Sequence, residues 1–227
     1  MTALEMFETD VIPTSEGDLK IVFLGHGSLF FSFKGMNIFL DPYSKVADYT
    51  MLPKADIILI THEHRDHLDL PALEAVRTAK TIVILTEACA KQIAGDLVMQ
   101  NGEEIAVRGF QVQAVPAYNL VHKRPDGQPF HPKWVGNGYI LNFGDQRVYA
   151  AGDTENTPEM KALQGISLAF LPMNIPYTMT PEMVADAVKA FRPRILYPYH
   201  YGETDPALIT ALLKDEADIE VRIRKMA

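Results

Sequence analysis

Thr61-His62-Glu63-His64-Arg65-Asp66-His67 sets three imidazoles and the Asp66 carboxylate within six consecutive positions of a chain that holds only seven histidines. Directly before it, Ile57-Ile58-Leu59-Ile60 reads as a buried strand; directly after it, Leu70, Leu73 and Val76 recur at helical spacing in a segment from Leu70 to Ala79. The histidines are therefore expected in a strand-to-helix loop. Imidazole and carboxylate together suit zinc, manganese or iron. His62 and His64, two residues apart in an extended turn, can face one ion, which leaves Asp66 and His67 for a second.

The spacing His62-x-His64-x-Asp66-His67 resembles that of the metallo-β-lactamase superfamily, and the chain is most similar to its small UlaG-like and YtkL-like metal-dependent hydrolases. The resemblance covers nearly the whole chain. It implies an α/β fold, a four-layer αββα sandwich, spanning residues 1–227 as a single domain. It also implies two divalent ions, zinc first, with manganese or iron as alternatives. In that family the first two His and a later His hold one metal, the Asp and last His of the motif join the second, and a bridging Asp and one more distant His complete the pair.

Composition sets the outer bounds. With 48% hydrophobic and 22% charged residues, the chain has the makings of a folded core and of ordinary solubility. A net charge of −8 argues against a general nucleic-acid surface, which needs clustered Lys and Arg. The acidic N-terminal stretch with Glu5, Glu8 and Asp10 reads as neither a signal peptide nor a membrane span, so no membrane partner and a cytoplasmic location are expected. An exported form stays compatible with a leader already removed. Lone Cys89 excludes an internal disulfide, and nothing in the composition argues against a homo-oligomer.

In chain order, residues 1–17 read as an arm or a short first strand. Leu19 to Leu24, Leu29 to Phe33 and Ile38 to Leu40 follow as strands joined by Gly-rich turns. His26 sits in the first turn and Asp41 follows the third strand; the resemblance implies a pocket position for His26 and a supporting role for Asp41 behind the metal ligands. Thr81 to Leu85 is a further buried strand, with a helix from about Glu87 to Ala94. Two strand-like runs meet around Gly109. Then Pro116 to Asn137 forms a long loop, the kind that usually carries function.

The second half repeats this logic. Tyr139 to Phe143 and Arg147 to Ala151 make a hairpin that runs into Gly152-Asp153-Thr154, which matches the family's bridging carboxylate. Leu168 to Leu171 is a strand. Thr180 caps a helix with Pro181 at its first position. Arg194 to Tyr197 is a strand that delivers His200, where the family's last ligand falls. A short helix near Pro206 to Lys214 and a strand from Ile219 to Ile223 close the chain.

One ligand departs from the family's pattern. The third His of the first metal would follow Val115-Pro116-Ala117-Tyr118, but Asn119 stands there. An amide oxygen is a poorer donor to zinc-like ions than imidazole. His131, held between Phe130 and Pro132, is the expected substitute, with His122 and Asn119 itself as alternatives. Asp66, His67 and Asp153 are then the expected catalytic core, and Asn174, Tyr177 and Thr178 are candidate substrate contacts. Glu63 and Arg65 read as loop scaffolding. A water activated by two ions, its pKa falling from about 15.7 to roughly 7, suits hydrolysis of an ester, lactone or phosphodiester bond in a small-molecule substrate. A metal-binding or sensing protein without turnover, or a phospholipase D-like phosphodiesterase, is the rival reading.

Overall fold

The structure, a computed structural model, describes residues 3–227. The first half lays down seven strands in one sheet: β1 (Glu8–Thr14), β2 (Gly17–Gly25), β3 (Ser28–Phe33), β4 (Met36–Leu40), β5 (Ile57–Leu59), β6 (Ile82–Leu85) and β7 (Leu97–Val98). The second half lays down seven more: β8 (Glu104–Val107), β9 (Phe110–Ala117), β10 (Gly136–Phe143), β11 (Gln146–Ala150), β12 (Leu168–Pro172), β13 (Ile195–Tyr199) and β14 (Glu220–Val221). Each sheet begins as an antiparallel meander and changes to parallel at its fourth strand, β4 onto β5 and β11 onto β12.

Side-chain alternation explains why so many strands read as unbroken apolar runs. Leu19, Ile21 and Phe23 of β2 enter the core between the sheets, whereas Val22 and Leu24 enter a second core beneath the helix α1 (Leu70–Val76) and the single turn α2 (Glu87–Ala90). Ile58 and Ile57 divide in the same way. A strand buried on both faces has no polar alternate. Behind the second sheet lie α3 (Pro158–Lys161), α4 (Pro181–Phe191) and α5 (Ala207–Leu212), with Val184, Val188 and Ile209 in the same core as the sheet. The four layers are thus helices, sheet, sheet, helices.

Local chemistry sets the element ends. Thr180 accepts the Met183 N–H, Pro181 opens α4, and Arg192 ends it in the left-handed region at φ 48°. The helix expected from Glu87 to Ala94 stops after one turn. Gly95 lies against Leu85, and the Asp96 N–H returns to the Val83 carbonyl, so the chain folds back onto β6 as the short edge strand β7. Neither β7 nor α3 stands out in the sequence, because two to four residues carry no period.

Candidate metal centre

Apart from His26, in the turn between antiparallel β2 and β3, every candidate side chain follows the carboxyl end of a parallel-paired strand or sits in a loop at those ends, the usual binding edge of open α/β sheets. Asp41 follows β4, His62 follows β5, Asp153 follows β11 and His200 follows β13. Backbone bonds join the two halves at this edge, from Asn137 N–H to the Thr61 carbonyl and from His200 N–H to the His26 carbonyl. His26, Asp41 and His200 all hold positive φ, between 44° and 53°, without being glycine. Such strain persists only where the surroundings impose it.

Asp41 is fully buried and behaves as an orienting group. Its Oδ1 accepts the Thr61 N–H at 2.8 Å, and its Oδ2 accepts the Thr61 hydroxyl at 2.6 Å and the His67 Nδ1–H at 2.7 Å. That last bond leaves the His67 Nε2 lone pair facing the cleft. The Thr61 hydroxyl is also 3.0 Å from His62 Nδ1.

Two clusters form around one carboxylate. His62, His64 and His131 offer ring nitrogens within 4.8 Å of one another, and so do the ring nitrogens of His26, His67 and His200 together with a carboxylate oxygen of Asp66. Asp153 lies between them. Its Oδ2 is 3.3 Å from His131 Nε2 and 3.9 Å from His62 Nε2, while its Oδ1 is 3.4 Å from both His67 Nε2 and His200 Nε2. Two ligands about 2.1 Å from one tetrahedral ion are roughly 3.4 Å apart, so this spacing fits shared coordination.

His131 reaches the centre because Asn119 holds it. Asn119 Oδ1 accepts the His131 backbone N–H and Nδ1–H, which leaves Nε2 free. Asn119 is therefore a support for His131. His122 stays outside both clusters, with Nδ1 2.7 Å from Glu155. Glu155 is a functional residue the sequence reading missed. Fully buried, it accepts the backbone N–H groups of Leu120, Val121 and His122 and the Asn119 amide, pinning the long loop over the cleft. Its one sequence signal was a carboxylate two positions after Asp153.

The electrostatics match a cation site. Burial opposes a charge on Asp153, yet His200, His67 and His131 overcome it and hold the carboxyl well below its usual range. Burial also opposes a cation on His67, but Asp153, Asp41 and Asp66 push its pKa up to about 10. Burial, and then His67, drive His62 well down. The His67, His131 and His200 Nε2 atoms and Asp153 Oδ1 are buried without a hydrogen-bond partner. Orphaned buried polar atoms are rare, and four aimed at one space are what a metal centre supplies.

The centre opens into a cleft of about 430 Å³ lined by His64, Arg65, Asp66, Arg124, Phe130, His131, Asp153, Asn174, Tyr177 and His200. Asn174 and Tyr177 thus face it. Thr178 does not: it is fully buried, and its hydroxyl accepts the Asn174 N–H at 2.7 Å, so it shapes the loop. His26 contacts Asp66 Oδ2 at 2.9 Å and lies against the His200 ring. Arg65, read from sequence as scaffolding, is part of the cleft wall.

Residues 20–200 match the model of the beta-lactamase superfamily domain. A UPF0173 metal-dependent hydrolase of Methanopyrus kandleri is 30% identical over 83% of this chain and 86% of its own length. A protein of Parabacteroides distasonis classed as a metal-dependent hydrolase has a crystal structure 47% identical in sequence, with TM-score 0.93 over 97% of this chain and 100% of that one. A metallo hydrolase of Ignicoccus hospitalis, 24% identical, shares the fold with TM-score 0.75 over 91% of this chain and 95% of its own. The chain belongs to the metallo-β-lactamase superfamily and, within it, to the UPF0173 metal-dependent hydrolases.

Proposed function

We propose that this centre holds two divalent ions and hydrolyses an ester, lactone or phosphodiester bond of a small molecule. His62, His64 and His131 would hold one ion, and Asp66, His67 and His200 the other. Asp153 would offer one oxygen to each. The observation that carries this is the set of buried, partnerless His67, His131 and His200 Nε2 atoms around Asp153. The nitrogen-rich donor set favours zinc, with manganese or iron as alternatives.

When bound, the ions supply a water acidic enough to react at neutral pH and a Lewis acid for the substrate oxygen. The protein's part is orientation and proton handling. Asp41 and Asn119 fix the rings of His67 and His131 so that each presents Nε2. Asp66, anchored by His26 and 35% exposed, is the carboxylate placed to pass a proton to solvent. Asn174 and Tyr177 form the wall against which substrate is positioned.

The test is metal analysis of purified protein followed by a panel of chromogenic phosphodiesters, phosphomonoesters, lactones and thioesters. Two divalent ions per chain with chelator-sensitive turnover is the expected result. Stoichiometric metal with no turnover across the panel favours a binding or sensing role. Absence of metal, with no uptake of zinc, manganese or iron, ends the reading.

A further inference from the structure

We propose that Tyr201 is a positioning residue for His200, and that residues 224–226 act through it as a strap that holds this ligand of the second ion. This rests on His200 being a metal ligand, as proposed above.

His200 sits in the left-handed region at φ 44°, a conformation that a residue other than glycine keeps only where its neighbours enforce it. Gly202 is left-handed as well, at φ 51°, and a Cβ there would stand 2.8 Å from Asn174 Oδ1. Tyr201 is thus the pivot between two sharp bends. At the first bend the His200 N–H donates to the His26 carbonyl at 3.0 Å, and the His200 carbonyl accepts the Met173 N–H at 3.3 Å. Beyond it, none of the described residues between Tyr201 and Ile209 is buried, so on that side the hold on His200 is whatever secures Tyr201.

Three hydrogen bonds to one short segment secure it. The Tyr201 N–H donates to the Met226 carbonyl at 3.3 Å, its hydroxyl donates to the Arg224 carbonyl at 2.8 Å, and the same hydroxyl accepts the Met226 N–H at 3.1 Å. One residue is thereby clamped through both its backbone and its side chain.

The segment is itself tied down. Met226 is fully buried in the main core, the Lys225 N–H donates to Glu8 Oε2 at 2.6 Å, and Arg224 Nη2 donates to both oxygens of Asp10 at 2.7 and 2.9 Å. Glu8 and Asp10 belong to β1, where Glu8 pairs with Phe23 of β2. β2 ends at Gly25, and the next residue is His26, whose carbonyl holds the His200 N–H. The contacts close a ring from His200 through Tyr201, the strap, β1 and β2 back to His200. Released from the strap, Tyr201 can turn and His200 can relax toward negative φ. Its Nε2, now 3.4 Å from Asp153 Oδ1 and 3.5 Å from Asp66 Oδ2, would then leave both.

The experiment loads purified protein with cobalt(II), whose visible absorption reports ligand geometry, and measures the affinity of each ion by competition with a chromogenic chelator. Wild type, Tyr201→Phe, Met226→Ala and His200→Ala are compared below their melting temperatures. Val188→Ala, which removes core volume at a fully buried position of α4, serves as a destabilised control. In Tyr201→Phe and Met226→Ala the first ion should bind as in wild type and the second roughly 10-fold more weakly, with altered cobalt absorption, as for other partners behind a ligand. Val188→Ala should lower the melting temperature alone. Wild-type second-ion affinity and absorption in Tyr201→Phe and Met226→Ala, with that ion lost in His200→Ala, overturns the proposal and leaves the metal assignment standing. A spectral change in Val188→Ala as large as that in Tyr201→Phe overturns it too, since general loosening would then suffice. Full ion content and wild-type absorption in His200→Ala removes His200 from the centre, and the proposal falls with that assignment.

Discussion

Asn119 Oδ1 accepts two hydrogen bonds from one residue, the backbone N–H and the Nδ1–H of His131, each at 2.8 Å. Together they fix the tautomer and the ring plane of His131, and Glu155 fixes Asn119 in turn through its amide at 3.1 Å. Replacing Asn119 by Ala should lower metal affinity at the first site roughly 10- to 100-fold, as for other partners behind a ligand. Competition against a chromogenic chelator measures it. Wild-type affinity in this variant would mean that His131 needs no such support.

His131 and His122 lie in the same loop but should separate in a simple comparison. His131→Ala should lose about one ion per chain, because its Nε2 faces Asp153 at 3.3 Å. His122→Ala should keep full metal, since that ring contacts Glu155 instead. Elemental analysis of the two variants decides between them, and the opposite pattern would reverse the assignment.

Asp153 and Asp41 should also behave differently. Asp153 offers an oxygen to each cluster, so Asp153→Ala should abolish turnover and lose metal. Asp41 holds Thr61 and, among the candidate ligands, bonds only the far nitrogen of His67, so Asp41→Ala should cost about 10- to 100-fold in affinity or activity. Metal titration alongside kinetics measures both. Equal, complete loss in the two would place Asp41 in the centre itself.

Gly27 makes room for the centre. A Cβ there would stand 2.9 Å from His67 Cε1, closer than packed atoms allow, and in ordinary contact with His200 Cδ2 at 3.6 Å. Gly27→Ala should therefore destabilise the protein by about 1 to 3 kcal/mol through overpacking and weaken metal binding at the same time. Thermal unfolding with and without chelator tests this. An unchanged melting temperature and unchanged metal affinity would show that the turn has slack.

The acid limb of stability should depend on Asp10, far from the centre. Burial alone would raise its pKa, but hydrogen bonds from Tyr197 and Arg224, helped by Arg222, bring it below the ordinary 3.8. A carboxyl depressed in the folded state contributes stability that is fully present above the unfolded pKa. The contribution is lost as pH falls through the folded value. Asp10→Asn should flatten the fall in stability below about pH 4. It should cost about 1 to 3 kcal/mol at neutral pH, a modest figure because Arg222 and Arg224 are a quarter exposed. Denaturant titrations from pH 3 to pH 7 measure the slope, and parallel curves for the two proteins would remove Asp10 from the account.

By itself the sequence determined the elements that carry a strong local signal. Ile57-Ile58-Leu59-Ile60 is apolar at every position because its strand is covered on both faces, and Thr180-Pro181 marks the first turn of α4 by cap chemistry alone. His62, His64, Asp66 and His67 were legible as a group because a single loop holds them, so their proximity is a matter of chain length. Proximity across the chain was not legible in this way. His131 meets His62 only because the buried Glu155 gathers three backbone N–H groups and folds the long loop inward. Arg65 and Arg124 are 59 positions apart, and only packing of that loop against the metal edge puts both on one cleft. Local pattern fixes backbone form through sterics and side-chain period, whereas a site built from two sheets depends on long-range burial and on which buried polar groups satisfy one another.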